Sequence, residues 1–331
     1  MSAVVDTMNL GVNIGPLRLP GTVLLAPMSG ISDAPFRRLC LDSGASLTTT
    51  EMTTSDRRLW NSTKSRRRLD FADLDGIRAV QIAGSDPGQM ADAARGAVAR
   101  GAQIVDINLG CPAKKVCRKL AGSALLKDED RVRRILTTVV DAVQVPVTVK
   151  MRTGWSREHR NGVRVAQLAE RAGIQALAVH GRTRECAFRG EAEYDTIRKI
   201  KSAVSIPVFA NGDIDSPEKA AEVMQHTGAD GVMLGRAVNG QPWLLDQVSK
   251  FLGKNVHVPA PSVAVRRDII LTHLDTMYRF YGEHTGVRVA RKHLSWYCKN
   301  LGDSENFRRR VMLAKSSTEQ MQLTINFFAR C

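Results

Sequence analysis

Residues 77–108, IRAVQIAGSDPGQMADAARGAVARGAQIVDIN, set two short apolar runs, IRAVQIAG (77–84) and IVDIN (104–108), on either side of an amphipathic stretch, DPGQMADAARGAVAR (86–100). Asp86-Pro87 reads as a helix start, an N-cap followed by a proline whose missing N–H is no loss at the first helical position. Strand, helix and strand in that order make a parallel unit. The alternation extends both ways: VLLAP (23–27) and LTTTE (47–51) precede it, and VTVKMR (147–152), ALAVHGR (176–182), VFANGD (208–213) and GVMLGR (231–236) follow. A second helix start, Ser216-Pro217, opens SPEKAAEVMQHTG before the last strand. Eight such strands predict an α/β fold, a (β/α)8 TIM barrel. A doubly wound sheet is the alternative, but no G-x-G-x-x-G follows the first strand.

A barrel of this kind carries its active site where the strands end. Those ends hold Met28, Glu51, Gln81, Asn108, Lys150, His180, Asn211 with Asp213, and Arg236. A purely structural barrel has no need of such a polar ring, so it reads as a site, with Glu51 left aside as a structural carboxylate.

After residue 250 the strand pattern stops. FLGKNVHVPAPSVAV has the prolines and lack of period of a connector, and RRDIILTHLDTMYRFYG, VRVARKHLSWYCKNL and ENFRRRVMLAKSSTEQMQLTINFFARC place apolar residues at helical spacing. Two domains are expected, a barrel over 1–250 and a helical domain over 251–331. The helical part keeps the basic bias, with 12 basic and 6 acidic residues from 255 on.

Charge adds a direction. Of 331 residues, 48 are Lys or Arg and 33 Asp or Glu, a net +15. A field of that sign gathers polyanions, nucleic acid first among them. The loop DRRLWNSTKSRRR (56–68) concentrates Arg57, Arg58, Lys64, Arg66, Arg67 and Arg68 around Trp60, and Arg118 and Lys119 follow the fourth strand. A charge run is more often a solvated face, but these loops lie on the catalytic side of a barrel. No apolar run is long enough to span a membrane, and the N-terminus lacks a basic start and apolar core, so a cytoplasmic location and free thiols are expected. A monomer is expected as well.

Two glycine turns, Asn211-Gly212-Asp213 and Gly235-Arg236, suit a phosphate at the end of the seventh and eighth strands. Gln81 can exchange hydrogen bonds with a carbonyl and a ring N–H, Lys150 can set positive charge beside a ring that becomes anionic, and Pro27-Met28-Ser29 can cover its edge. FMN fits these functions. Pyridoxal phosphate on Lys150 fits less well, since it gives the nearby Cys111 nothing to do. Cys111 with Cys117 lacks the second ligand pair that a metal site would need, and no metal is expected.

LLAPMSGISDAPFRRLC (24–40), EMTTSDRRLW (51–60), AVQIAGSDP (79–87), DINLGCPAKKV (106–116), VKMRTGW (149–155), AVHGRTR (178–184), FANGDI (209–214) and MLGRAVNGQPW (233–243) resemble the tRNA-dihydrouridine synthase family, above all its bacterial B-type members. The likeness covers the whole barrel and continues in RVARKHLSWY (288–297). It implies an FMN-dependent reduction of the C5=C6 bond of particular uridines in tRNA, with NADPH or NADH as reductant and the helical domain as a tRNA-binding part. It also implies flavin contacts from Pro27, Met28, Ser29, Gln81, Lys150, Asn211, Gly212, Asp213, Gly235 and Arg236, His180 beside the phosphate or ring, and Cys111 as the catalytic cysteine.

The implied chemistry accounts for the thiol. Uracil's C5=C6 bond is conjugated to its C4 carbonyl, so a hydride from flavin N5 adds at C6 and leaves negative charge reaching C5. An acid must then protonate C5, and Cys111, in a Gly-Cys-Pro turn past the fourth strand, is placed for it. An ordinary thiol, with a pKa of about 8.5, is protonated near neutrality. Asn108, Arg152 and Arg182 are expected to hold the base or its phosphates. A flavin barrel acting on a free pyrimidine is the rival reading, and the basic helical tail argues against it. A barrel that binds RNA without chemistry is a second rival, against which Cys111, Lys150 and the phosphate turns stand together.

Overall fold

The computed structural model describes residues 11–71, 76–299 and 301–331; residues 1–10 and 72–75 of the expected barrel domain and Asn300 of the expected helical run lie outside them. A short hairpin, β1 (Asn13–Ile14) and β2 (Leu17–Arg18), precedes the sheet. The sheet strands are β3 (Val23–Leu25), β4 (Leu47–Thr48), β5 (Thr53–Thr54), β6 (Ala79–Ala83), β7 (Ile104–Leu109), β8 (Val147–Arg152), β9 (Ala176–His180), β10 (Val208–Asn211) and β11 (Gly231–Leu234). All pairs in the sheet are parallel, in the order β4-β3-β11-β10-β9-β8-β7-β6-β5. A parallel bridge from Thr49 to Ala79 joins the β4 end to β6 and closes the ring. β4 and β5 are therefore two halves of one barrel position, and the expected strand 47–51 is interrupted where Thr50 turns its hydroxyl to accept from the Gln81 amide at 3.0 Å.

Period-two alternation decides what each strand presents. Along β7, Val105, Ile107 and Leu109 pack outward with the surrounding helices, while Ile104 joins a separate inner cluster with Leu24, Leu47, Ala176, Phe209 and Met233. Ile14 at the end of β1 and Leu19 just after β2 belong to that inner cluster and floor the barrel. The inward positions of β7 thus run Ile104, Asp106, Asn108, from apolar floor to polar mouth. On β8 and β9 the same parity brings Lys150, Arg152 and His180 to the mouth.

Both expected helix starts are present. Asp86 accepts from the Gln89 amide ahead of helix Pro87–Val98, and Ser216 from that of Lys219 ahead of helix Pro217–Thr227. Helix Leu244–Lys254 crosses the expected boundary at 250 and buries Leu244, Leu245 and Val248 in the outer barrel core. Helices Val263–Tyr281, Glu283–Tyr297, Ser304–Leu313 and Ser317–Phe328 then build a core of their own around Leu274, Met277, Leu294, Val311 and Phe327. The last expected helical run breaks at 314–316, where Ser316 caps a new helix through the Glu319 amide. This bundle sits on helix Ala34–Asp42: Phe36 lies 5.7 and 5.4 Å from the His273 and His293 rings, and Tyr281 donates to Asp33 Oδ2 at 2.8 Å.

Candidate active site

A cavity of about 920 Å³ opens at the C-terminal ends of the strands. Every residue singled out in the sequence for cofactor, base or proton chemistry lines it, from Pro27, Met28 and Ser29 round to Gly235 and Arg236. The strand parity explains this gathering. What it could not give is which hydrogen-bonding groups are already engaged.

Cys111 follows β7 and is held at both backbone ends. Asn108 Oδ1 accepts from the amides of Gly110 (3.1 Å) and Cys111 (2.9 Å), and the Cys111 carbonyl accepts from Ser123 Oγ at 2.8 Å and from the Ser123 amide at 3.1 Å. Arg152 Nε donates to the Gly110 carbonyl at 2.8 Å. Gly122 has φ +62°, and a Cβ there would stand 2.9 Å from the Cys111 carbonyl oxygen, so only glycine lets the two segments close together. Cys117 Sγ lies 3.6 Å from the Cys111 carbonyl oxygen and from Ser123 Oγ, a further brace on the same turn. Burial raises the Cys111 thiol above its ordinary range, with the nearby Cys117 in the same direction, while a hydrogen bond from the Ala113 amide and the charge of Arg152 oppose it. The thiol is protonated at neutral pH.

Asn108, expected to meet a base, is therefore occupied: its Nδ2 also donates to Gln81 Oε1 at 2.7 Å. Gln81 Nε2 in turn donates to Asp106 Oδ2 at 2.7 Å, and Thr148 Oγ1 to Asp106 Oδ1 at 2.7 Å. Burial pushes the Asp106 carboxyl up, against these two donors and the charge of Lys150. Asp106 anchors the network one layer below the mouth, a role the sequence reading did not give it. Gln81 keeps one N–H and one lone pair for a ligand.

Arg152 and Arg182 are likewise engaged. Arg152 Nη1 donates to the Thr183 and Ala187 carbonyls at 2.9 and 2.8 Å. Arg182 forks onto Asp213 at 2.9 and 2.5 Å and donates to the Gly190 carbonyl at 2.6 Å. It fixes the 211–213 turn, where Asp213 has φ +48° and Gly212 φ +120°, and where a Cβ on Gly212 would meet His180 Cδ2 at 2.9 Å. The Met28 amide is taken by Ser32 Oγ at 2.8 Å, which leaves its side chain to cover a ligand. Phe188, absent from the sequence reading, stands at the mouth with Arg152 and Arg236 over its ring at 5.4 and 4.8 Å.

Lys150 Nζ donates to Asn211 Oδ1 at 2.9 Å, and Asn211 Nδ2 to the Met233 carbonyl at 2.7 Å. Burial pulls Lys150 down to about 8, aided by the charge of Arg152. His180 is pulled down to about 2, by burial and then by Lys150, Arg152, Arg182 and Arg236 together, so its imidazole is neutral. Arg182 Nη1 can only donate, so His180 Nε2, 3.2 Å away, accepts and the ring proton sits on Nδ1. Four cations converge on one wall, against Asp213, which Arg182 pairs closely and Arg236 at 3.7 Å. At Gly235 a Cβ would meet only Ala26 Cβ at 3.8 Å, so the backbone there is open to the cavity. Excess positive charge beside an open glycine turn is what a phosphate-bearing ligand requires. Among the described residues no cluster of three His, Cys, Asp or Glu could hold a metal ion, and no helix is long and apolar enough to cross a membrane.

The basic loop after β5 divides. Lys64 and Arg66 are exposed, whereas Arg67 donates to the Tyr281 carbonyl at 3.2 Å and Arg68 to that of Met52 at 3.0 Å, with Glu51 Oε1 3.3 Å away. Trp60 is 2% exposed, holds the Thr54 carbonyl through Nε1 and lies between Arg57 and Arg100, so it offers no face to a base.

The sequence pattern of the family described as dihydrouridine synthase (Dus) matches residues 24–330. The chain is 55% identical over 318 residues to tRNA-dihydrouridine synthase B of Pseudomonas aeruginosa, covering 96% of each chain. It is 53% identical over 317 residues to the protein of that name from Xanthomonas axonopodis pv. citri, again over 96% of each. To that of Escherichia coli K12 it is 52% identical over 317 residues, 96% of this chain and 99% of the other. The cavity ringed by strand-end polar residues, with Cys111 clamped at its rim, thus belongs to a member of the dihydrouridine synthase family, alongside the tRNA-dihydrouridine synthases B.

Proposed function

We propose that the chain reduces the C5=C6 bond of specific uridines in tRNA to 5,6-dihydrouridine, with FMN as cofactor and NADPH or NADH as reductant. The observation that carries the reading is the Cys111 turn, fixed from both sides at the rim of a cation-rich cavity. FMN, when bound and reduced, supplies the hydride for C6 of the uracil ring. Residues 211–213 with Gly235 and Arg236 would hold its phosphate, and Gln81, Lys150 and the 27–29 segment its ring. Neutral His180 lines the same wall and takes no proton in the working range. Cys111 delivers its proton to C5, where negative charge has collected. Asn108 and Arg152 act on this step indirectly by fixing the Gly110–Cys111 backbone, and Arg182 acts by fixing Asp213. The barrel, through the helix ending at Lys254, does the chemistry, and the basic helical domain beyond it holds the tRNA.

The flavin assignment predicts that Arg236→Ala weakens FMN binding by about 2 kcal/mol, the loss of a charge-assisted hydrogen bond to phosphate. Fluorescence titration of the apoprotein measures it, and an unchanged affinity removes Arg236 from the site.

For the RNA, Arg66→Ala should reduce the slope of log K against log salt by about one, as for loss of one phosphate contact. Arg68→Ala should instead lower thermal stability, because the Met52 carbonyl and Glu51 lose a partner. An unchanged salt slope for Arg66→Ala takes this loop out of the RNA surface.

The decisive comparison with a free-pyrimidine enzyme uses protein reduced by NADPH under anaerobic conditions. Unmodified tRNA should reoxidise the flavin, and uridine or orotate should not. Reoxidation by the free pyrimidine alone overturns the reading.

A further inference from the structure

A second cavity of about 350 Å³ shares Arg236 and Ala237 with the wall of the main one. It lies between the loop after β11 and the helical domain. Trp243 comes from the loop, Trp296 from helix Glu283–Tyr297, Arg266 from helix Val263–Tyr281, and Lys299 from just beyond the helix that carries Trp296. The Arg266 guanidinium lies 5.2 Å over the Trp243 ring. The seam is fixed by Gly240, whose φ is +82° and whose Cβ would stand 2.5 Å from the Trp296 carbonyl oxygen. The described lining contains three cations and no carboxylate. Asn239, also in the lining, keeps its Oδ1 buried with no hydrogen-bond partner.

Two indole rings beside the positive charge of Arg266 and Lys299, with no carboxylate in the lining, describe a receptor for an aromatic ring with a phosphate attached. That is a nucleotide. The size is at the low end of the roughly 300–1,000 Å³ of small-ligand pockets, room for one nucleotide. When a target base leaves its stack to enter the main cavity, its neighbour loses a stacking partner and needs a new surface. We propose that this second pocket takes the nucleotide adjacent to the target uridine, with its base against Trp243 or Trp296 and its phosphate on Arg266 and Lys299. The proposal rests on the reading that a uridine of tRNA occupies the main cavity. It gives the junction of barrel and helical domain a direct part in choosing which uridine is reduced.

Steady-state kinetics with unmodified tRNA transcripts test it. Trp243→Leu and Lys299→Ala should each raise the KM for tRNA by about tenfold, the range found when one stacked base or one phosphate contact is lost. The KM for NADPH and the FMN affinity should not move. Lys299 is exposed, so its variant carries the test even if Trp243→Leu fails to fold. A transcript made abasic beside the target uridine should weaken the wild type by a similar factor and Trp243→Leu by little more, as for a contact already absent. The pocket assignment is overturned by an unchanged tRNA KM in both variants, by losses that simply multiply in the abasic transcript, or by a rise in the NADPH KM with none for tRNA. A wild type that forms no dihydrouridine at all overturns instead the reading on which the proposal rests.

Discussion

Replacing Cys111 with Ala is expected to slow dihydrouridine formation in a single turnover by about a hundredfold to ten-thousandfold, the range of general acid catalysis. FMN affinity and reduction of the flavin by NADPH should remain near wild type, because neither involves C5 of uracil. Rapid-quench measurement on pre-reduced protein isolates the step. The pH dependence follows from the direction of the thiol's shift. The acid works only while protonated, and burial raises Cys111 above an ordinary thiol, so the wild-type rate should stay level through neutrality and fall only at alkaline pH beyond the ordinary thiol range. Cys117→Ala should change the rate far less, since Cys117 touches the Cys111 carbonyl and not the reacting atoms. Equal rates for wild type and Cys111→Ala would end the proton-donor role.

Arg182→Met is expected to destabilise the protein by about 3 kcal/mol. The Arg182 side chain is 3% exposed and forks onto Asp213, and breaking a buried pair from one side leaves Asp213 with only the Ala192 amide at 2.8 Å and the looser Arg236 at 3.7 Å. The figure is set at the low end of the usual range because Asp213 retains 32% exposure. Burial raises the Asp213 carboxyl, but the hydrogen bonds and charge of Arg182, with the Ala192 amide and the charge of Arg236, outweigh it and hold it below the ordinary carboxylate range. Stability from a depressed carboxylate is present above its unfolded pKa and lost as pH falls through the folded one. The deficit of the variant should therefore be full at pH 7 and shrink below about pH 4, where Asp213 takes up a proton in the unfolded chain. Asp213→Asn added to Arg182→Met should recover part of the loss at pH 7. Urea unfolding at both pH values measures these differences, and an Arg182→Met protein as stable as wild type contradicts the pairing.

The barrel was legible because its two periods are local. Val105, Ile107 and Leu109 alternate with Ile104, Asp106 and Asn108 within six residues, and Asp86 and Ser216 announce their helices within four. Parity along the strands also sufficed to bring Gln81, Lys150, His180 and Asn211 to one mouth. What it could not convey was which partner each side chain meets. Arg182 finds Asp213 31 residues away, Gln81 finds Asp106 at a separation of 25, and Cys111 is clamped by Ser123 at a separation of 12. A linear pattern of residue types holds no record of those pairings. The charge run at 64–68 divides for the same reason: composition gave it a sign and no direction, so Lys64 and Arg66 stay exposed while Arg67 turns inward to Tyr281, 214 residues on. Phe188 left a readable signal, a large aromatic in a loop beyond a catalytic-side strand end, and so did Asp106, an acid at an inward position two residues below Asn108.

The central claim is that this chain converts uridine in tRNA to dihydrouridine at the cavity rimmed by Cys111. Purified protein loaded with FMN, supplied with NADPH and an unmodified tRNA transcript, can be followed by mass spectrometry of the digested nucleosides. The account predicts that uridine gains two hydrogens at a discrete position and that the product is nearly absent with Cys111→Ala over the same time. Folded, flavin-loaded wild-type protein that leaves every uridine of its tRNA substrates unreduced would contradict it.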